Sequence, residues 1–177
     1  VDETRGLQPE SDRACRRVDA EQCLHAWGAH GLPRVTVLRI PGIYALDREG
    51  GTPRERLQRG VPVLRQEEDV FTNHVHADDL ARAAVLALWR GKPLRPVNVS
   101  DDSDMRMGDY MDWAADAWQL PRPPRITWQE AQTQLPAMTL SFMRESRRLH
   151  NRRMKEELRL RLRYPTVKEG LRGEPVG

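Results

Sequence analysis

The chain has 177 residues, 38% of them hydrophobic, with a mean hydropathy of −0.73 and a net charge of +3. Five Trp and dispersed Leu, Val and Ile exclude a disordered chain, and the lack of any apolar run of about 18 residues excludes a membrane-spanning helix. The modest apolar content suits one domain, or part of a larger one whose exposed faces pack on something else.

Residues 14–30 read as a helix with Ala14, Val18, Cys23, Leu24 and Trp27 on an approximate apolar face, ended by Gly28 or Gly31. Cys15 and Cys23 share this helix, so their Cα atoms lie about 12 Å apart, beyond disulfide reach. No Cys-x-x-Cys offers a thiol metal or redox site. Residues 34–40 form a near-continuous apolar strand that fits cover on both faces and stops at a Pro41-Gly42 turn. Thr52-Pro53-Arg54-Glu55 reads as a capping box opening a short helix to about residue 59, and 61–64 as a short extended segment. Residues 70–76 alternate as one strand. Asp78 or Asp79 then caps a helix through residue 90, with Leu80, Ala84 and Leu88 on one face and Gly91 past its end. A strand at 96–99, a turn at 100–103 and a helix at 107–118 follow. Beyond a Pro-rich connector at 120–124 come a strand at 126–128 and short helices at 129–135 and 140–146. Asn151 caps a helix through about residue 158, and Thr166-Val167-Lys168-Glu169 is a second capping box, its helix ended by Gly170.

The alternation of helix and strand argues an α/β layer protein with at least part of a parallel sheet. From about residue 120 the rhythm is lost, and a smaller, mostly helical lobe is expected. Pro41-Gly42-Ile43-Tyr44 follows a strand's C-terminal end, where ligands bind in open α/β sheets. Glycine there lets a ligand approach the backbone, although by residue chemistry alone an ordinary turn accounts for the segment. His74, His76, Asp78 and Asp79 are metal-ligand types, with both histidines on one side of a strand. A strand end followed by an Asp helix cap accounts for them better, so no metal is assigned. Arg144, Arg147, Arg148, Arg152 and Arg153 form a basic cluster. Charges of both signs are interspersed and few aromatics intervene, which argues for a solvated or domain-packing face and against a nucleic-acid partner.

Val37-Leu38-Arg39-Ile40-Pro41-Gly42-Ile43-Tyr44, followed by Phe71-Thr72-Asn73-His74-Val75-His76-Ala77-Asp78-Asp79-Leu80-Ala81, resembles the C-terminal half of the extended short-chain dehydrogenase/reductases, the NAD-dependent epimerase/dehydratase family. The resemblance implies the C-terminal part of a Rossmann-like parallel sheet over residues 1–119 and a small substrate lobe over 120–177. It implies NAD or NADP as cofactor, with Pro41, Gly42, Ile43 and Tyr44 facing it, and a sugar nucleotide or similar small molecule as substrate, with Arg144 and Arg148 as anion-binding candidates. Ala45-Leu46-Asp47 departs from the family's usual Gly-Pro-Gly at that point. An N-terminal Rossmann half is the implied partner, the chain alone is not expected to bind the dinucleotide, and a homodimer is admitted. A cytoplasmic setting without membrane contact is the matching expectation, since Val1-Asp2-Glu3-Thr4 is not a signal peptide.

The family's catalytic Tyr-x-x-x-Lys pair has one literal match, Tyr164 to Lys168, but Pro165 and the Thr166 capping box separate the two side chains. With Glu21 taken as the Glu that usually follows the pair, its positions fall on Arg13 and Arg17. A guanidinium cannot donate a proton near neutral pH, so no catalytic residue is assigned. The family's glycine-rich loop and catalytic Ser are expected upstream of Val1. Some divergent members lack the Tyr-Lys pair, which leaves open both an atypical enzyme and a non-catalytic dinucleotide sensor.

Overall fold

The computed structural model describes residues 1–31 and 33–176. Helix α1 (Asp12–Ala29) begins at Ser11, whose hydroxyl accepts from the Ala14 amide at 3.2 Å, so the cap sets the start earlier than the apolar pattern indicated. The expected apolar face is largely in solvent: Leu24 is 41% and Trp27 58% exposed, and Cys23 is exposed. Gly28 does not end α1. It is buried in the last turn, where a Cβ would come within 2.8 Å of a Leu94 methyl carbon; Gly31, at φ +91, makes the turn.

Strand β1 (Thr36–Arg39) runs parallel to β6 (Arg95–Asn98), with Thr36 opposite Arg95 and Arg39 opposite Asn98. Its residues are half-buried, not covered on both faces; α1 meets this region through Gly28 against Val35 and through Glu21, which accepts from Arg39 Nε at 3.0 Å and Nη2 at 2.6 Å. The expected Pro41-Gly42 turn is a step between strand pairs. Pro41 has no amide for the ladder, and the Gly42 amide donates to Asn73 O at 3.2 Å. The chain continues as β2 (Gly42–Tyr44), parallel to β5 (His74–His76), with Gly42 opposite His74. The expected single strand at 70–76 is divided at Asn73. Its first part, β4 (Phe71–Thr72), pairs antiparallel with β7 (Met105–Arg106). Asn73 leaves the ladder, its side chain donating to Arg147 O at 2.7 Å and accepting from the Leu149 amide at 2.9 Å. A fourth pair joins β3 (Val63–Leu64) and β8 (Arg125–Ile126) in parallel.

Local chemistry sets the helices. The Thr52–Glu55 capping box does not form, since Pro53 itself occupies the cap position of α2 (Arg54–Gln58). Helix α3 (Ala77–Arg90) is capped by His76, whose Nδ1 accepts from the Asp78 amide at 3.2 Å. Asp79, expected as a cap, is fully buried and accepts from the amides of Arg163 (2.9 and 3.0 Å) and Tyr164 (2.9 Å). After α4 (Met107–Ala117), a Thr127–Glu130 capping box opens α5 (Trp128–Gln134), which ends the expected 126–128 strand at Ile126. Then come α6 (Ala137–Met143), earlier than expected, and α7 (Arg152–Glu157). The Thr166–Glu169 box caps α8 (Val167–Arg172) as expected. Gly170 lies inside α8 and not at its end; Gly173, at φ +72, ends it.

Three apolar clusters form the interior, around Tyr44, Met111 and Val167, around Val75, Val97 and Met154, and around Leu64, Ile126 and Met143. Helices α7 and α8 lie on β6 and β5. No described helix is long and apolar enough to cross a membrane.

Candidate ligand cleft

A cleft of about 630 Å³ opens beyond the C-terminal ends of β1 and β6. Thr72 and Asn73 form one wall, the loop Asp101-Asp102-Ser103-Asp104 a second, and residues 148–152 a third. The Val99 amide donates to Arg39 O at 3.0 Å and the Asp101 amide to His74 O at 2.7 Å, so the acidic loop leaves the sheet directly at the strand ends. Asparagines hold the third wall. Besides the Asn73 bonds, Asn151 Nδ2 donates to Ser100 O at 2.9 Å, Asp101 O at 3.2 Å and Asp102 Oδ1 at 2.7 Å. This explains why Asn151, expected as a side-chain cap, makes no cap bond to α7.

Asp101 sits at the floor of the cleft, 4% exposed. Its Oδ1 accepts from the Ser103 amide at 2.9 Å, and its Oδ2 is buried without a hydrogen-bond partner. Burial, opposed by the Ser103 bonds and the nearby Tyr44 hydroxyl, pushes the carboxyl up to about 7. The Tyr44 hydroxyl gives its own hydrogen bond to Thr166 O at 3.2 Å. Burial and the Asp101 charge hold the Tyr44 phenol protonated far above its ordinary range. His74 stacks at 4.4 Å on Tyr110, its Nδ1 lacks a partner, and burial takes its imidazole down to about 4.

The candidate residues from the sequence distribute unevenly. Gly42 is exposed and adjoins the cleft wall, since a Cβ there would lie 3.4 Å from Asn73 O. Tyr44 is buried between His74, His76 and Gly170, so only the backbone of its segment is free to meet a ligand. Arg148 lines the cleft, whereas Arg144 stacks on Trp128 at 5.1 Å outside its lining. His76 caps α3 and stacks on Tyr164 at 3.7 Å. The Arg13 guanidinium lies 4.0 Å over the Phe142 ring, with Nη2 at 3.4 Å from Glu145. The chain's sequence contains no Gly-x-Gly-x-x-Gly to place a dinucleotide's pyrophosphate on a helix N-terminus. Sequence reading passed over Asp101 and Asp104, because Ser100-Asp101-Asp102-Ser103 carries the composition of any solvated turn.

No family model and no curated protein sequence matches the chain. Solved structures do. A functionally unknown conserved protein from Silicibacter pomeroyi is 33% identical, with a TM-score of 0.83 over 98% of this chain and 58% of its own. A nucleoside-diphosphate-sugar epimerase from Pseudomonas aeruginosa is 18% identical, with a TM-score of 0.75 over 94% of this chain and 55% of its own. A human epimerase family protein, solved with NADPH, is 17% identical, with a TM-score of 0.74 over 98% and 58%. The fold is therefore that of the C-terminal portion of Rossmann-like epimerases. The chain spans 55–58% of the length of these three proteins.

Proposed function

We propose that the chain is the C-terminal portion of an NAD(P)-dependent epimerase/dehydratase-like protein that binds a small polar molecule in the cleft. The observation that carries this reading is the position of the cleft, beyond the C-terminal ends of two parallel strands on a fold shared with epimerases. In this reading the backbone at residues 41–43 borders the nicotinamide of NAD or NADP, and Arg148 belongs to the substrate side. An N-terminal Rossmann half supplies the pyrophosphate site and a strand beside the free edge of β1. By the right-handed crossover rule it also brings apolar surface toward Leu24 and Trp27 of α1. Assembly as a homodimer and a cytoplasmic setting belong to the same proposal.

A second reading, a dinucleotide-binding sensor without catalysis, is favoured by one observation. Arg13, at the position the family gives to its catalytic Tyr, is engaged by Phe142 and Glu145.

Gly42 tests the cofactor wall. Its φ lies outside the left-handed range, and an added Cβ meets ordinary contact distances, so a side chain there costs the fold little. In a protein that carries both halves, Gly42→Val is expected to weaken NADH or NADPH binding at least fivefold, with the thermal midpoint nearly unchanged. Unchanged affinity in calorimetry would remove these residues from the cofactor site.

A further inference from the structure

We propose that Asp104 sets the ligand class of the cleft by holding Arg148 away from phosphate, so that the substrate of this site carries no nucleoside diphosphate. The inference rests on the cleft being the substrate site. A guanidinium grips a phosphate through a pair of parallel N–H donors. In Arg148 the side-on pair is already engaged: Nε donates to Asp104 Oδ1 at 2.7 Å, and Nη2 donates to Asp104 Oδ2. The face of the same guanidinium is 4.8 Å over the Phe71 ring, which fixes the fork in place. An exposed ion pair ordinarily contributes little, but a bidentate fork held by stacking is the geometry in which it does contribute.

Two neighbouring cations also have carboxylate partners. Arg152 Nε donates to Glu156 at 2.7 Å, and Lys155 is paired with Asp102. Asp102 and Asp104 thus stand among the cleft-lining residues beside Arg148 and Arg152, with the Asp101 carboxyl beneath them. A diphosphate would bring at least two negative charges against these carboxylates and would have to displace Asp104 to reach the Nε–Nη2 fork of Arg148.

The test uses UDP and the chain as it stands. Wild type is expected to give no saturable heat with UDP up to millimolar concentration. Asp104→Asn is expected to tighten UDP binding by about tenfold or more by freeing the fork, and Asp104→Asn combined with Arg148→Ala to abolish the gain. Both side chains are more than half exposed, so the variants keep the fold, which circular dichroism checks. Three results would each overturn the proposal: micromolar UDP binding by wild type that Arg148→Ala removes, no gain in Asp104→Asn, or a gain that survives the loss of Arg148. UDP has no nicotinamide, so any of these leaves the Gly42 experiment, and with it the dinucleotide reading, standing or falling separately.

Discussion

The surroundings of Tyr44 and the outer face of α1 are built on opposite plans. Around Tyr44 the packing leaves no room. A Cβ on Gly170 would come within 2.3 Å of the tyrosine ring, and nearby Asp79 is fully buried and ties α3 to the 163–164 backbone through three contacts. On α1 the largest apolar side chains, Leu24 and Trp27, are exposed, and Gly28 is the one residue of the helix that is buried. The first region draws its stability from within the chain. The second presents apolar surface that helps the fold only when something covers it.

The largest effect that would sharpen this contrast is Asp79→Ala. It strips the buried acceptor from two backbone amides and from Arg82, and about 3 kcal/mol or more of unfolding free energy is expected to go. A urea midpoint close to that of wild type would break the comparison.

Next comes pH. The Asp101 carboxyl is raised from 3.8 to about 7, so the unfolded state has lost this proton while the folded state keeps it; the resulting stability is full below about 4 and is lost as pH rises toward 7. His74 is lowered from 6.5 to about 4, so its contribution is full above 6.5 and is lost as pH falls toward 4. Between these limits the two slopes oppose each other. Asp101→Asn is expected to reveal a stability that climbs with pH from 4 to 6.5 relative to wild type, and His74→Gln one that declines, by up to about 1.4 kcal/mol per pH unit. Parallel pH profiles for wild type and both variants would refute the burial of these groups.

The smallest effect belongs to α1. Leu24→Ala and Trp27→Ala are each expected to change unfolding free energy of the chain by about 0.5 kcal/mol or less. A loss of 2 kcal/mol for either would mean that this face is already packed.

The sequence made legible whatever is fixed by neighbours along the chain. The Thr166–Glu169 box, the 107–118 helix and the strands that become β1 and β6 all rest on short-range chemistry or on β propensity, and the structure has them close to where the residues indicated. It was misleading where a residue answers to a distant partner. Asn73 looks like any strand residue until Arg147 and Leu149 claim its side chain and split the strand. Asp79 has the composition of a helix cap, yet its partners lie in the 163–164 backbone. The apolar pattern of α1 pointed inward by periodicity alone, which cannot tell a core face from one awaiting a partner. The cleft suffered most, since its lining comes from four separate stretches, Val1 among them, that meet only in the fold.

The close approach of Gly170 to Tyr44 has a consequence for how this sequence can drift. Because a methyl at 170 would occupy space already filled by the phenol, the two positions can change only in one order: residue 44 must first become smaller, and only then is anything larger than hydrogen admissible at 170. Among relatives with this fold, a bulky residue at the position of Gly170 therefore foretells a short side chain at the position of Tyr44, a covariation legible in an alignment without any structure.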